Sequence, residues 1–191
     1  MEGLNRLLHE PDLDPYIIML ARDPRGIFNS RDKIFTSDLY KEQDRSRNYK
    51  RLVADAKLVC KQTKRMVDYT NSMEALGNKT LLVRYEDLAM APLVQAERIY
   101  QHVGLSFPDQ VRDWIEHKLS IETTEHQNDE TFDTMKNPHD VALRWRSEIN
   151  VTFVDVIEKS CAASMKQLGY IGTKGNHEEL KTATVLTHAL P

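Results

Sequence analysis

The densest chemistry in this sequence lies in residues 20–31, LARDPRGIFNSR. Asp23 is a good N-cap and Pro24 suits the first helical position, so a strand ending at Arg22 is expected to pass directly into a helix. At such a junction the open backbone N–H groups and the positive end of the helix dipole favour an anion. Arg22 and Arg25 add full positive charges beside it. Ser30 falls two turns further along, where its hydroxyl can donate to an oxygen of an anion that extends along that face. Ile27, Ile34 and Phe35 are left to pack the opposite side. The chemistry this spacing offers is capture of a phosphate-like group; the competing reading is a well-capped helix with solvated arginines.

The elements that would hold this segment follow from the pattern around it. Tyr16-Ile17-Ile18-Met19-Leu20 is a continuous apolar run bounded by Asp14-Pro15 and by polar residues, which predicts a strand buried on both faces in a parallel sheet. Thr80-Leu81-Leu82-Val83-Arg84 repeats the pattern after Gly77-Asn78. Each run leads into a helical stretch, so the fold class is α/β, with a short parallel sheet flanked by helices. Between the strands Leu52, Ala56, Val59, Thr63, Met66 and Val67 recur as one helix face, the other being basic. Its Arg45, Arg47, Lys50 and Arg51 suit either an anionic glycan or plain solvation. Further on, Pro92 opens a helix that Gly104 closes, and a shorter one near Pro108 takes in Val111, Trp114 and Ile115. Residues 117–140 are polar without a period and read as a loop. A last amphipathic helix carries Phe153, Val154, Ile157, Cys161, Met165 and Leu168 inward and ends at Gly169. The tail from Thr173 onward lacks any period and reads as frayed.

Composition sets the outer limits. The chain has 191 residues, 40% of them hydrophobic, enough for one ordinary domain. A formal charge of -3 with both signs interspersed argues against a nucleic-acid or membrane-surface partner, so an anion site must be local. No apolar run approaches the ~20 residues needed to span a bilayer and no signal peptide opens the sequence, which reads as a soluble chain with no membrane anchor or targeting segment. Cys60 and Cys161 are the only cysteines. They are either two buried thiols or one bridge formed in an oxidising lumen, and they give no metal motif. No metal is expected. Asn78-Lys79-Thr80 and Asn150-Val151-Thr152 satisfy the glycosylation sequon and permit a secretory address. His117, His126 and His139, in or beside the polar loop, read as surface residues.

Arg22 to Arg25 followed by Ser30 resembles the 3'-phosphate-binding motif of sulfotransferases that use 3'-phosphoadenosine 5'-phosphosulfate. Residues 81–104, LLVRYEDLAMAPLVQAERIYQHVG, are similar to the strand, Tyr-Glu-Asp turn and helix of the Golgi carbohydrate 6-O-sulfotransferases acting on chondroitin, keratan and N-acetylglucosamine. Trp114-Ile115, Thr134-Met135-Lys136-Asn137, Arg144-Trp145-Arg146 and the stretch from Cys161 to Tyr170 follow in that family's order. The resemblance implies a partial P-loop-like sulfotransferase fold over residues 1–171, with a disordered tail over 172–191. It implies a PAPS-dependent enzyme moving a sulfuryl group to a sugar hydroxyl, C6 of a galactose or N-acetylhexosamine. The nucleotide donor and a glycan or proteoglycan acceptor would be its partners, and the Golgi its address. Arg22 and Ser30 would hold the 3'-phosphate, with Asp23, Pro24, Arg25, Gly26 and Asn29 wrapping around it. Tyr85 resembles a tyrosine that contacts the adenine, or else anchors the turn after its strand. Lys136 resembles part of a basic loop closing over the 3'-phosphate, or is a surface lysine. Arg144 and Trp145 look like a structural element of the family.

The departure from the family lies upstream. Its members carry a glycine- and serine-rich loop for the 5'-phosphosulfate before the Arg-Asp-Pro-Arg strand, and only Gly3 precedes Gly26 here. The expectation is therefore a 3'-phosphate half-site without an assigned catalytic base. The competing expectation is an inactive fragment or binding module with the same fold. A nucleotide kinase is disfavoured, since no Gly-x-x-x-x-Gly-Lys-Ser/Thr stretch occurs.

Overall fold

The computed structural model describes residues 6–7, 10–36, 45–73, 79–120, 138–182 and 187. They fall into two compact units, Met1–Leu20 with Tyr69–Ala142, and Ala21–Asp68 with Leu143–Pro191.

In the first unit β1 (Ile17–Ala21) pairs with β2 (Thr80–Arg84). The Ile17 N–H donates to the Lys79 carbonyl at 2.8 Å, so the strands start side by side and run parallel, as an α/β reading requires. β2 is buried along nearly its whole length. β1 is not: Met19 and Ala21 face inward, while Ile18 and Leu20 are 43% and 57% exposed. The expected strand buried on both faces is therefore corrected for β1. Its continuous apolar run hides a period-two burial, because among the described residues only one of its faces is covered.

Two short helices follow β2: α3 (Tyr85–Met90) and α4 (Pro92–His102), both packed on that strand. α4 has proline at its start and ends in a Schellman turn, with Gly104 at φ 72° and the Leu105 N–H reaching the Tyr100 carbonyl at 2.9 Å. α5 (Asp109–Ser120) packs on α4 and buries Ile115, whereas Trp114 stands 60% exposed with the Lys118 ammonium over its ring.

The second unit is built on α1 (Pro24–Thr36), the first part of the 29-residue helix α2 (Arg45–Met73), and α8 (Val151–Gln167), with α7 (Trp145–Glu148) and α9 (Glu178–Thr182) against its rim. α6 (Pro138–Leu143) belongs to the first unit except for its last residue, and its Ala142 is fully buried. On α1 the large apolar side chain buried among the described residues is Phe28, not Ile27, which is half-buried; Ile34 and Phe35 have side chains outside the described set. A large side chain so enclosed contributes about 1.5–3 kcal/mol. On α2 the buried positions among the described residues are Ala56, Cys60, Val67 and Thr70, at steps of four, seven and three that keep to one helix face, and Met66 is 38% exposed. The inward stripe of α8 is the expected one, with Val154, Ile157, Cys161, Met165 and Leu168 all buried and Phe153 half-buried. It closes on Gly169 at φ 72° by a second Schellman turn, the Tyr170 N–H donating to the Met165 carbonyl at 2.8 Å.

Two features were not settled by pattern. The expected frayed tail holds α9, whose Leu180 is 2% exposed, and the Arg146 Nε donates to the Leu180 carbonyl at 2.6 Å. A short polar segment can be ordered by one buried leucine, which periodicity over five residues does not reveal. Cys60 and Cys161, left open between thiols and a bridge, form a disulfide that joins α2 to α8 across 101 residues of sequence. Closing so long a loop removes entropy chiefly from the unfolded chain, and bridges typically contribute about 2–4 kcal/mol. Replacing both cysteines with alanine is accordingly expected to lower stability by roughly that amount. Urea titration with and without the bridge measures it, and coincident curves would show that α2 and α8 are held by packing alone.

Candidate anion site at the start of helix α1

The junction forms as the local sequence requires. Asp23 caps α1: its Oδ1 accepts from the Arg25 N–H at 2.9 Å, and its carbonyl takes the first helical bond from Ile27 at 3.1 Å. Pro24 occupies the first helical position, where its missing N–H costs nothing. Strand β1 thus delivers Arg22 to the amino end of a 13-residue helix. Arg22 is half-buried there.

Arg25 does something else. Its side chain is wholly buried. Nε and Nη2 donate to the two carboxylate oxygens of Asp23 at 3.0 and 2.7 Å, and Nη1 donates to Glu158 Oε1 on α8 at 2.8 Å. The guanidinium carbon also lies 5.0 Å from the Trp145 ring centroid. Burial opposes the charge on this group, yet the two carboxylates outweigh it and hold its pKa above the ordinary arginine value. Two anions therefore engage the charge that was expected to face a ligand, and Arg25 is corrected to an internal tie between α1 and α8. Glu158 extends the tie, its carboxylate accepting the Thr173 N–H at 3.0 Å and the Thr173 hydroxyl at 3.2 Å.

The remaining candidates divide by position. Gly26 is buried against Trp145, and a Cβ there would stand 2.9 Å from Trp145 Cδ1, so the helix can approach α7 this closely only with glycine at that position. Asn29 is buried and donates from Nδ2 to Glu148 at 3.2 Å. Ser30 is exposed; its hydroxyl donates to the Gly26 carbonyl at 3.1 Å and can turn outward to an incoming anion. Tyr85 is half-buried as the first residue of α3 in the other unit, right after Arg84, which is itself paired with Asp87 at 2.7 Å. Lys136 and its neighbours, as well as His126, lie outside the described residues.

Sequence reasoning missed Glu158, Thr173 and the closeness of Arg146. Burial lowers the pKa of Arg146, and the like charge of Arg25 lowers it further. The Asp23 carboxylate acts in the opposite direction, so Arg146 stands within range of both members of the Asp23–Arg25 pair. A nearby pocket, lined by Phe28, Val53, Ala56, Phe153, Val156 and Ile157, is wholly apolar and has none of the expected site residues.

Residues 6–169 match the family described as sulfotransferase domain. Among curated proteins the chain is similar to human carbohydrate sulfotransferase 1, at 30% identity over 97% of this chain and 46% of that protein. It is also similar to mouse carbohydrate sulfotransferase 4, at 27% identity over 94% of the chain and 48% of that protein. Human carbohydrate sulfotransferase 3 matches at 29% over 89% of the chain and 36% of that protein. The chain therefore spans about half, or less, of the length of these relatives. No solved structure matches it.

Arg25→Met keeps the bulk and removes the charge, leaving two carboxylates enclosed without their partner. It is expected to cost about 3–5 kcal/mol, as removing one member of a buried ion pair does. Gly26→Ala, which must displace an indole, is expected to cost about 1–3 kcal/mol. Urea denaturation followed by far-ultraviolet dichroism reads both. An Arg25→Met variant as stable as the parent would mean that this network does not hold α1 in place.

Proposed function

Since this chain belongs to the sulfotransferase family, we propose that the β1–α1 junction binds the 3'-phosphate of 3'-phosphoadenosine 5'-phosphosulfate, and that the protein transfers the sulfuryl group of this donor to a sugar hydroxyl. The acceptor position proposed is C6 of galactose, N-acetylgalactosamine or N-acetylglucosamine, in a glycan or proteoglycan. The single observation that carries the reading is the pre-set amino end of α1, capped by Asp23 and pinned by Arg25, with Arg22 entering from the strand.

A ribose 3'-phosphate suits such a place because it is a dianion that needs N–H donors and a guanidinium together. Arg22 offers the charge-assisted bonds and Ser30 a hydroxyl that can rotate to the phosphate. Asp23, Pro24, Arg25, Gly26 and Asn29 act on the phosphate indirectly, by fixing where the helix starts and which way it points. Tyr85 and Lys136 are the proposed adenine and loop contacts.

Transfer itself requires the acceptor oxygen to lie in line with the leaving phosphate and the charge developing on that phosphate to be stabilised. The 3'-phosphate is remote from the sulfur, so these residues act on donor affinity and orientation, not on bond making. The 5'-phosphosulfate loop and the base that takes the hydroxyl proton are not assigned to residues of this chain. The Cys60–Cys161 bridge supports an oxidising compartment, consistent with a Golgi lumenal address.

Isothermal titration of the intact protein with adenosine 3',5'-bisphosphate tests the assignment. Arg22→Ala is expected to raise Kd about 10- to 100-fold, the loss of a charged hydrogen bond worth about 1.5–3 kcal/mol. Ser30→Ala is expected to raise it only a few-fold. An unchanged Kd in Arg22→Ala would reject the site.

A further inference from the structure

We propose that Asn150 carries an N-linked glycan. Its sequon, Asn150-Val151-Thr152, stands at the start of α8, and all three residues face solvent, Val151 at 50% exposure. The Asn150 side chain is divided in use. Oδ1 caps the helix by accepting the Thr152 N–H at 2.9 Å, and among the described residues Nδ2 donates to no protein group. A substituted amide keeps its carbonyl oxygen, so the cap and a sugar on Nδ2 are compatible.

The address supports the chemistry. Cys60 and Cys161 are bridged, which supports the oxidising compartment where this modification occurs, and to that extent the inference rests on the lumenal reading above. The co-reactant is an oligosaccharide carried on a polyprenyl diphosphate. The Asn150 amide nitrogen bonds to the anomeric carbon, and the bond from that carbon to the diphosphate oxygen breaks with its electron pair leaving on the diphosphate. The amide proton is lost to a base of the transferring enzyme, and nothing is oxidised or reduced. The Thr152 hydroxyl completes the acceptor sequence. Asn78, in the other sequon, lies outside the described residues, and its Thr80 is buried in β2.

The test is to express the protein from its own transcript in a eukaryotic cell, alkylate free thiols, and release N-glycans enzymatically in heavy-oxygen water before peptide mapping. The expected result is a labelled aspartate at position 150 together with unalkylated Cys60 and Cys161. Thr152→Ala, which keeps the Asn150 cap, and Asn150→Asp, which keeps its oxygen, are both expected to gain electrophoretic mobility by one glycan while remaining folded. A bare Asn150 in a protein with the bridge formed would overturn the glycan inference alone. A bare Asn150 with both thiols alkylated would overturn it together with the lumenal address.

Discussion

A guanidinium buried without exposure, held by one carboxylate from its own helix cap and another from a distant helix, is the constraint on which the second unit turns. Arg25 is useful there because its planar fork satisfies Asp23 in two places and still reaches Glu158 with its remaining nitrogen. The arrangement is demanding: each partner alone would be a buried charge costing several kcal/mol. Given all three, the amino end of α1 has one position relative to α8. Trp145 presses on Gly26 from the side and removes the remaining play, and Glu158 passes the restraint on to the backbone at Thr173.

That restraint separates two arginines that stand three residues apart. Arg22 belongs to the end of a strand and is only half-buried. Arg25 belongs to the first turn and faces the protein. Anion capture needs a helix terminus that does not move when the ligand arrives, since ordering it at that moment would subtract from affinity. In this reading Arg25 and its partners supply the preorganisation, and Arg22 with Ser30 supplies the contacts. The disulfide adds a second restraint on α8, on which the tie ends.

How much of this could be read in advance depended on the range of the interaction. The strand-to-helix switch at Asp23-Pro24, the glycine closures at Gly104 and Gly169 and the apolar stripe of α8 are set within a few residues, and periodicity and capping rules expose them. Glu158 is 133 residues from Arg25, on the polar side of a helix where a carboxylate carries no distinguishing mark. Nor could composition separate a bridge from two thiols, because a buried cysteine looks the same from either state. The alternation in β1 was masked by apolar residues on both of its faces. The basic charge of Arg25 was plain in the sequence; its direction was not.

The measurement that bears most directly on this account is a cycle of ligand and protein truncation in the intact protein. The affinities of adenosine 3',5'-bisphosphate and adenosine 5'-monophosphate are compared in the parent and in Arg22→Ala. If Arg22 grips the 3'-phosphate, the parent favours the bisphosphate by about 10- to 100-fold, and the substitution removes most of that preference while hardly touching the monophosphate. A preference of the same size in both proteins would contradict the account, since the 3'-phosphate would then be held somewhere other than the start of α1.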